Sequence, residues 1–274
     1  MRATARDAPL GVFDSGLGGL TVVRALARLL PHEDIVYLGD TARVPYGTKG
    51  ADTIRRYSMG CAKHLLRDDV KAIVVACNTA SAVAPELLRA AFDVPVFSVI
   101  DPGAEAAVQA SRTGRIGVLA TQGTVASGAY PRAVSTVSTR AETFAFAAPL
   151  LVPLAEEGWL EGEVPRLAVR RYLEPLRIHD VDVLVLGCTH YPLLLPVFEE
   201  ETHALLGPTV TVVDSAHATA ESTRRSLAER GLLAEGRTRP GRIEISVTDR
   251  SPSFSVVAAR FLGASPGEPR LVDL

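Results

Sequence analysis

Residues 71–85 read KAIVVACNTASAVAP, an apolar run that stops at a cysteine followed by two small polar residues. An apolar run without polar alternation predicts a strand buried on both faces, the usual state of a strand in a parallel sheet covered by helices. Cys77, Asn78 and Thr79 stand at the carboxyl end of that strand. Because ligands of open α/β sheets bind outside the strand carboxyl ends, these side chains indicate a functional site.

The same pattern returns in residues 181–191, VDVLVLGCTHY, where a second apolar run ends at Cys188 and continues into Thr189 and His190. The spacing of the strand ends also repeats. Asp14 precedes Cys77 by 63 residues, and Thr121 precedes Cys188 by 67 residues. These matched spacings predict a duplication in which each half supplies one thiol.

Composition limits the class of protein. The chain has 274 residues, 47% of them hydrophobic and 22% charged, enough for one large domain or two of ordinary size. No apolar run approaches the roughly 18 residues that span a bilayer, and the first residues lack the apolar core of a secretory signal, so no membrane contact and a cytoplasmic location are expected. A net charge of −2 gives no reason to expect nucleic acid as a partner. Three widely spaced cysteines predict free thiols.

Strand and helix patterns alternate along the whole chain, which predicts an α/β fold with mainly parallel sheets flanked by helices. A second unit is expected to begin near residue 100. The last twelve residues, GASPGEPRLVDL, lack periodicity and are predicted to be a tail.

Residues 10–30 predict a strand, a glycine loop and a helix. The loop is not the dinucleotide motif G-x-G-x-x-G, because Thr21 occupies the third glycine position, and no Lys-Ser/Thr pair of a phosphate loop is present. Its glycines would let the backbone approach a ligand, and its N–H groups would suit a carboxylate. A plain turn between strand and helix is an equally good interpretation.

Five segments, read in order, carry a resemblance to a known family: FDSGLGGLTV (13–22), GDTARVPYGTK (39–49), ACNTASA (76–82), GVLATQGTV (117–125) and GCTHYPLL (187–194). The chain resembles the cofactor-independent glutamate racemases of the aspartate/glutamate racemase superfamily. The resemblance implies two pseudo-symmetric α/β domains that face each other across a cleft, one formed by residues 1–100 plus 208–274 and the other by residues 101–207. It also implies interconversion of L- and D-glutamate, D-glutamate supply for bacterial peptidoglycan, no cofactor and no metal, and a homodimer.

Racemisation has a physical requirement that two thiols can meet. A proton must leave one face of the Cα and another must arrive at the opposite face, so two acid/base groups are needed. A free thiol has a pKa of about 8.5, close enough to neutral pH for thiol and thiolate to exchange roles. The predicted pair is Cys77 and Cys188. The resemblance implies that Cys77 deprotonates the D-enantiomer with help from Asp14, and that Cys188 deprotonates the L-enantiomer with help from His190.

Substrate contacts are expected at the other strand ends and in the loop of residues 39–50, which is long enough to cover a ligand. From residue types alone, the candidates are short neutral donors and the loop residues that would close over them. Together with the contacts that the resemblance implies, the predicted substrate-binding set is Asp14, Ser15, Pro45, Tyr46, Gly47, Asn78, Thr79, Thr121, Thr124, Thr189 and His190.

Some residues also have simpler interpretations. Cys61 lies inside an apolar helical pattern and is predicted to be a buried hydrophobe. Zinc on Cys77, Cys188 and His190 is disfavoured because no Cys-x-x-Cys or His-x-x-x-His spacing occurs among them. The acidic residues after position 155 are predicted to form a solvated face: Glu156, Glu157, Glu161 and Glu163.

Two other functions stay open at this point. An aspartate racemase would share both thiols and differ in the depth of the pocket at the side-chain carboxylate. A non-catalytic amino-acid-binding protein could use a duplicated α/β fold, although the paired thiols and the absence of a signal sequence count against it.

Overall fold

The computed structural model describes residues 6–234 and 239–274, so residues 1–5 and 235–238 of the predicted first domain lie outside the described part. Its strands are β1 Leu10–Asp14, β2 Ile35–Gly39, β3 Ala72–Val75, β4 Val96–Ser98, β5 Arg115–Ala120, β6 Glu142–Ala147, β7 Val183–Gly187, β8 Thr211–Asp214, β9 Ile243–Val247 and β10 Arg270–Leu271. Its α-helices are α1 Leu20–Leu29, α2 Ala51–Leu65, α3 Asn78–Ser81, α4 Pro85–Ala91, α5 Ile100–Ala110, α6 Gln122–Ser127, α7 Ala129–Val137, α8 Leu151–Glu157, α9 Glu163–Leu173, α10 Leu195–Leu205, α11 Ser215–Glu229 and α12 Phe254–Leu262. Within those residues, none of the helices combines the length and apolar character needed to cross a bilayer.

The strands form two sheets in which all pairings are parallel, as the α/β pattern predicts. The first sheet has the order β10-β9-β2-β1-β3-β4 and the second has the order β6-β5-β7-β8. The order β2-β1-β3-β4 of the first sheet is repeated as β6-β5-β7-β8 in the second. This repeated order agrees with a duplicated unit.

Helices cover both faces of each sheet, which is why the central strands β1, β3 and β7 are apolar apart from Asp14 at the end of β1. Every residue of β1, β3 and β7 is buried. Two apolar clusters flank the first sheet, one with α1, α11 and α12 and the other with α2 and α4. Two more flank the second sheet. The fold therefore fixes the strand ends rigidly, and these ends carry the polar residues.

Two helices cross between the units. α5 follows β4 of the first sheet but packs its Ile100, Ala104 and Ala107 into the core of the second. α11 follows β8 of the second sheet but packs its Ala216, Ala220 and Leu227 against the first. The exchange is reciprocal, so each unit is completed by a helix that follows a strand of the other.

The chain is predicted to return to the first domain at residue 208, but the strand that follows this position pairs in the second sheet. β8 pairs with β7, so residues 211–214 belong to the second sheet, and the chain returns to the first unit with α11. The predicted C-terminal tail is also corrected. β10 pairs with β9 at the edge of the first sheet, and Val272 is buried behind it. A two-residue strand is too short to produce a periodic pattern.

One buried ion pair joins distant segments of the first unit. Lys71 Nζ lies 2.5 Å from Glu33 Oε2, and both side chains are almost fully buried. Lys71 also donates to the backbone carbonyls of Arg6 and Leu232, each at 2.8 Å, and Glu33 Oε1 accepts from the N–H of Ala234 at 2.8 Å. Removing the Lys71 ammonium would leave the buried Glu33 carboxylate without the cation that faces its Oε2.

We therefore expect Lys71→Met to lower the free energy of unfolding by about 3–5 kcal/mol, measured by urea denaturation. Lys63→Met, at an exposed position of α2, is the control and should change it by less than about 0.5 kcal/mol. The double variant Lys71→Met/Glu33→Leu should recover most of the loss, because it leaves no isolated buried charge. A Lys71→Met protein as stable as wild type would contradict a structural role for the pair.

Candidate active site

A cavity of about 190 Å³ lies where the carboxyl ends of the two sheets meet. Cys77, two residues after the end of β3 and directly before α3, lines it from the first unit. Cys188, immediately after β7, lines it from the second unit. Both cysteines are only 5% exposed, so the two thiols face a small enclosed space rather than bulk water.

Most of the predicted site residues line this cavity. They are Ser15, Pro45, Tyr46, Gly47, Cys77, Asn78, Thr79, Thr121, Cys188, Thr189 and His190. Asp14 and Thr124 are buried behind the lining. Sequence reasoning did not single out Gln122, Pro149, Val152, Pro153 or Glu156 as site residues, although they also line it.

The environment of Cys77 favours the neutral thiol. Burial, together with the negative charge of Asp14, raises the pKa of Cys77 to about 12. The thiol donates to Ser15 Oγ at 3.6 Å, and in the thiolate form the hydroxyl can donate to the sulfur instead, which partly offsets this rise. At neutral pH Cys77 therefore carries a proton and can act first as an acid.

Asp14 holds the loop after β1 rather than forming the cavity wall. Its Oδ2 accepts the backbone N–H groups of Gly16 and Gly19 at 3.1 and 3.0 Å. Its Oδ1 is buried without a hydrogen-bond partner. Burial raises the pKa of Asp14, while the charge of His190 and the backbone N–H groups act in the opposite direction. Asp14 thus acts on Cys77 through its charge.

The loop glycines make room for site side chains. A Cβ at Gly19 would lie 2.5 Å from Asp14 Cβ, and a Cβ at Gly18 would lie 2.5 Å from the His190 ring. Gly16 lines the cavity, and the close approach of its backbone to a ligand stays a prediction. At positions 18 and 19, glycine instead lets the loop pack against two polar side chains.

Cys188 lies beside a histidine that carries a positive charge. His190 Nδ1 is 3.7 Å from Cys188 Sγ, and Nε2 is 3.0 Å from Glu156 Oε1. Burial lowers the pKa of His190, but the contacts with Cys188 and Glu156 outweigh it and raise the pKa to about 10. An imidazolium at this distance is the type of neighbour that stabilises a thiolate.

Glu156 is exposed, as the predicted solvated acidic face requires, but it has a second role at the cavity that the sequence did not predict. It is on α8, it lines the cavity, and its hydrogen bond to His190 lowers its own pKa. The contact joins residues 34 positions apart in the chain. The local sequence does not distinguish Glu156 from the neighbouring acidic residues. Only the packing of α8 beside His190 brings this glutamate into contact with the ring.

Glu156→Gln is expected to lower the pKa of His190 from about 10 by about one pH unit or more, since the neutral amide removes an opposite charge. The dependence of stability on pH should change as well. A histidine with a raised pKa stabilises the fold fully below about pH 6.5 and loses that contribution as pH rises towards 10, so wild type should lose stability across this range and the variant should lose less. NMR titration of the His190 ring, with unfolding measured at pH 6.5 and 10, checks both. Glu157→Gln, on an exposed neighbour, is the control, and an unchanged His190 pKa in Glu156→Gln would contradict the coupling.

The covering loop is anchored through a buried carboxylate. Tyr46, fully buried at the cavity, donates its hydroxyl to Asp40, and burial raises the pKa of this tyrosine, which keeps it neutral. Asp40 also accepts from Arg43 Nε at 2.8 Å and from Thr248 Oγ1 at 3.0 Å. This network fixes the loop over the cavity. A Cβ at Gly47 would lie 2.9 Å from Thr121 Cβ, so glycine permits the loop to contact the second unit.

Three hydroxyls bridge the two units at the wall of the cavity, where Thr79 and Thr121 line it and Thr124 lies behind them. Thr79 Oγ1 lies 2.9 Å from Thr121 Oγ1 and 3.3 Å from Thr124 Oγ1, and the last two are 3.0 Å apart. Thr79 belongs to the first unit and the other two to the second. Because hydroxyls can rotate, this cluster can donate to an anionic ligand without moving the backbone.

Cys61 is fully buried in α2, does not line the cavity, and packs in the apolar cluster of the first sheet. All three cysteines are free. Within residues 6–234 and 239–274, no group of three or more His, Cys, Asp or Glu side chains is arranged to hold a metal ion.

Comparisons with known proteins give one consistent result. A sequence model of the Asp/Glu/Hydantoin racemase family matches residues 15–223. Glutamate racemase of Neisseria gonorrhoeae is 49% identical over the full length of both chains. The crystal structure of glutamate racemase from Francisella tularensis in complex with D-glutamate has a TM-score of 0.90 at 33% identity, covering 98% of each chain. That of the Thermus thermophilus glutamate racemase in complex with β-chloro-D-alanine has a TM-score of 0.86 at 45% identity, again covering 98% of each chain.

Proposed function

The chain belongs to the Asp/Glu/Hydantoin racemase family, and from that premise we propose that it interconverts L- and D-glutamate by proton transfer between two thiols. The observation that carries the proposal is that Cys77 and Cys188, from opposite sheets, line one enclosed cavity. Such a pair can serve both faces of a planar carbanion. One thiol can take the Cα proton and the other can return a proton, so the proposed reaction uses no cofactor.

The protonation states suggest how one direction starts. Cys188, 3.7 Å from His190, is the base that removes the Cα proton of L-glutamate. Cys77, whose raised pKa favours the thiol, donates its proton to the opposite face and becomes a thiolate. The product is D-glutamate, and the two sulfurs have exchanged protonation states. The reverse direction begins from the exchanged state.

The remaining cavity residues bind and orient the substrate in this proposal. Ser15 and Asn78 on one side and Thr121 and Thr189 on the other provide uncharged hydrogen-bonding groups from both units. The loop carrying Tyr46 excludes water. In an enclosed site, fixed donors stabilise the carboxylates and the carbanion more strongly than water-exposed donors would.

Circular dichroism of L-glutamate mixed with the purified protein, without added cofactor, tests the proposal. The signal should decay to zero as the enantiomers equilibrate, and D-glutamate should approach the same end point. L-aspartate, run in parallel, distinguishes the two substrates. No decay with glutamate would overturn the proposal, and faster decay with aspartate would replace the substrate.

The wider role rests on the same activity. We propose that the product serves bacterial peptidoglycan synthesis and that the protein acts in the cytoplasm, where its three free thiols stay reduced. We also propose a homodimer, because α9 and the segment before it expose three apolar side chains, those of Trp159, Val164 and Leu167. Light scattering at several concentrations would give twice the monomer mass if this is correct and the monomer mass if it is not.

A further inference from the structure

Tyr130 is a buried tyrosine that joins the two units at the cavity. It lies on α7 of the second unit and is 2% exposed. Its hydroxyl donates to Oδ1 of Asn78, in the first unit, at 2.8 Å. Asn78 is itself 1% exposed and lines the cavity. Tyr130, which does not line the cavity, thus holds Asn78, which does.

The hydrogen bond determines which end of the Asn78 amide is free. Oδ1 is occupied by the tyrosine hydroxyl, and Nδ2 is buried without a hydrogen-bond partner in the protein. A buried NH₂ group without a partner is costly, and such groups are normally satisfied by water or by a ligand. On a residue that lines the cavity, Nδ2 is therefore a donor available to a bound molecule.

The ring of Tyr130 is fixed by close packing. A Cβ at Gly187, the residue before Cys188, would lie 2.9 Å from Tyr130 Cε2. A Cβ at Gly103 of α5 would lie 3.5 Å from the tyrosine hydroxyl oxygen. Glycine at position 187 admits the ring, whereas the distance at Gly103 is an ordinary contact; burial raises the pKa of Tyr130, which keeps the donor proton in place.

We propose that Tyr130 is a positioning residue that fixes the Asn78 amide with its NH₂ group towards the cavity, where it donates to a carboxylate oxygen of glutamate. The inference rests on the proposed function and extends it to a residue outside the cavity lining. Without the tyrosine hydroxyl, the amide can turn over and present its carbonyl oxygen to the carboxylate, which repels it.

A double-mutant cycle tests the proposal, because a residue that acts only through Asn78 has no effect once Asn78 is removed. Tyr130→Phe, which keeps the ring, should raise KM for both enantiomers about 10-fold or more, the range for a hydrogen bond to a charged group. Asn78→Ala should raise KM at least as much, and Tyr130→Phe/Asn78→Ala should match Asn78→Ala within about twofold. Additive effects, or an unchanged KM in Tyr130→Phe, would overturn the proposal.

Two further variants separate positioning from a loss of stability and from the opposite amide orientation. Tyr191→Phe removes an equally buried hydroxyl that donates to the Ala148 carbonyl at 2.8 Å, and it should lower stability without changing KM. Asn78→Asp should weaken binding more than Asn78→Ala does, because it puts an oxygen where the donor stood. Tighter binding by Asn78→Asp than by Asn78→Ala would contradict the donor role.

Glutamate affinity measured by calorimetry on the same proteins keeps the outcomes distinct. If wild type racemises glutamate but the cycle is additive, the positioning role fails and the proposed function stands. If wild type binds glutamate without racemising it, the proposed function fails, while a non-additive cycle in affinity still supports the role of Tyr130. If wild type neither binds nor racemises glutamate, both fail.

Discussion

Cys77→Ala and Cys188→Ala are each expected to lower kcat/KM for racemisation of glutamate by about 10³-fold or more, in both directions. Removing one general acid or base commonly costs 10²–10⁴-fold. In the proposed mechanism each turnover uses both sulfurs, so losing either one should interrupt the L-to-D and D-to-L reactions equally. Circular dichroism of each enantiomer measures the loss. Full racemisation by either variant would contradict a mechanism that needs both thiols.

Exchange of the Cα hydrogen in heavy water separates the two sulfurs. A variant with one remaining thiol can still remove and return a proton on the face that this thiol reaches. If Cys188 serves the L-enantiomer, Cys77→Ala should retain exchange with L-glutamate and lose it with D-glutamate, and Cys188→Ala should do the reverse. Equal loss for both enantiomers in each variant would contradict the assignment of faces.

Cys61→Ala is the matched control, because it removes the third buried thiol of the same chain. Cys61 is fully buried and does not line the cavity. Its replacement should lower stability by about 1 kcal/mol and leave racemisation within about threefold of wild type. A large loss in this variant would mean that the effect of cysteine replacement is structural rather than chemical.

The fold and the two thiols were predictable because their signals are local. An apolar run that ends in Cys-Asn-Thr or Cys-Thr-His is read within ten residues, and the repeated spacing relates the two halves. The contacts of Glu156 with His190 and of Tyr130 with Asn78 join residues 34 and 52 positions apart. Such contacts depend on side-chain direction and helix docking, so a single sequence carries no signal for them.

Strand order at the unit boundary has a similar explanation. The sequence of β8 is TVVD, and its two valines would fit the edge of either sheet. The reciprocal exchange of α5 and α11 between the units determines the sheet to which β8 belongs. The sequence of neither helix indicates the sheet on which it packs. Sequence patterns therefore give the elements, while the pairing of the halves appears only in the assembled fold.

Gly18→Ala is expected to lower kcat by about 10²-fold or more. The added Cβ would lie 2.5 Å from Nδ1 and Cε1 of His190 and 2.5 Å from Thr189 Oγ1. Displacement of the His190 ring is opposed by the hydrogen bond of Nε2 with Glu156 and by T-shaped packing with Phe261, whose ring centroid lies 5.0 Å away. A shift of about 1 Å in a catalytic group can cost 10²-fold in rate, and overpacking costs about 1–3 kcal/mol of stability.

Gly50→Ala is the control for this substitution, since a Cβ at Gly50 meets nothing within 4 Å and its φ of −68° suits any residue. It should retain wild-type kcat and stability. The His190 ring resonance should move in Gly18→Ala and stay in place in Gly50→Ala. If Gly18→Ala kept kcat within threefold while the resonance moved, the position of His190 would not govern the reaction at Cys188. An unmoved resonance would mean that the loop, rather than the ring, absorbs the added methyl group, so the two measurements together locate where the strain goes.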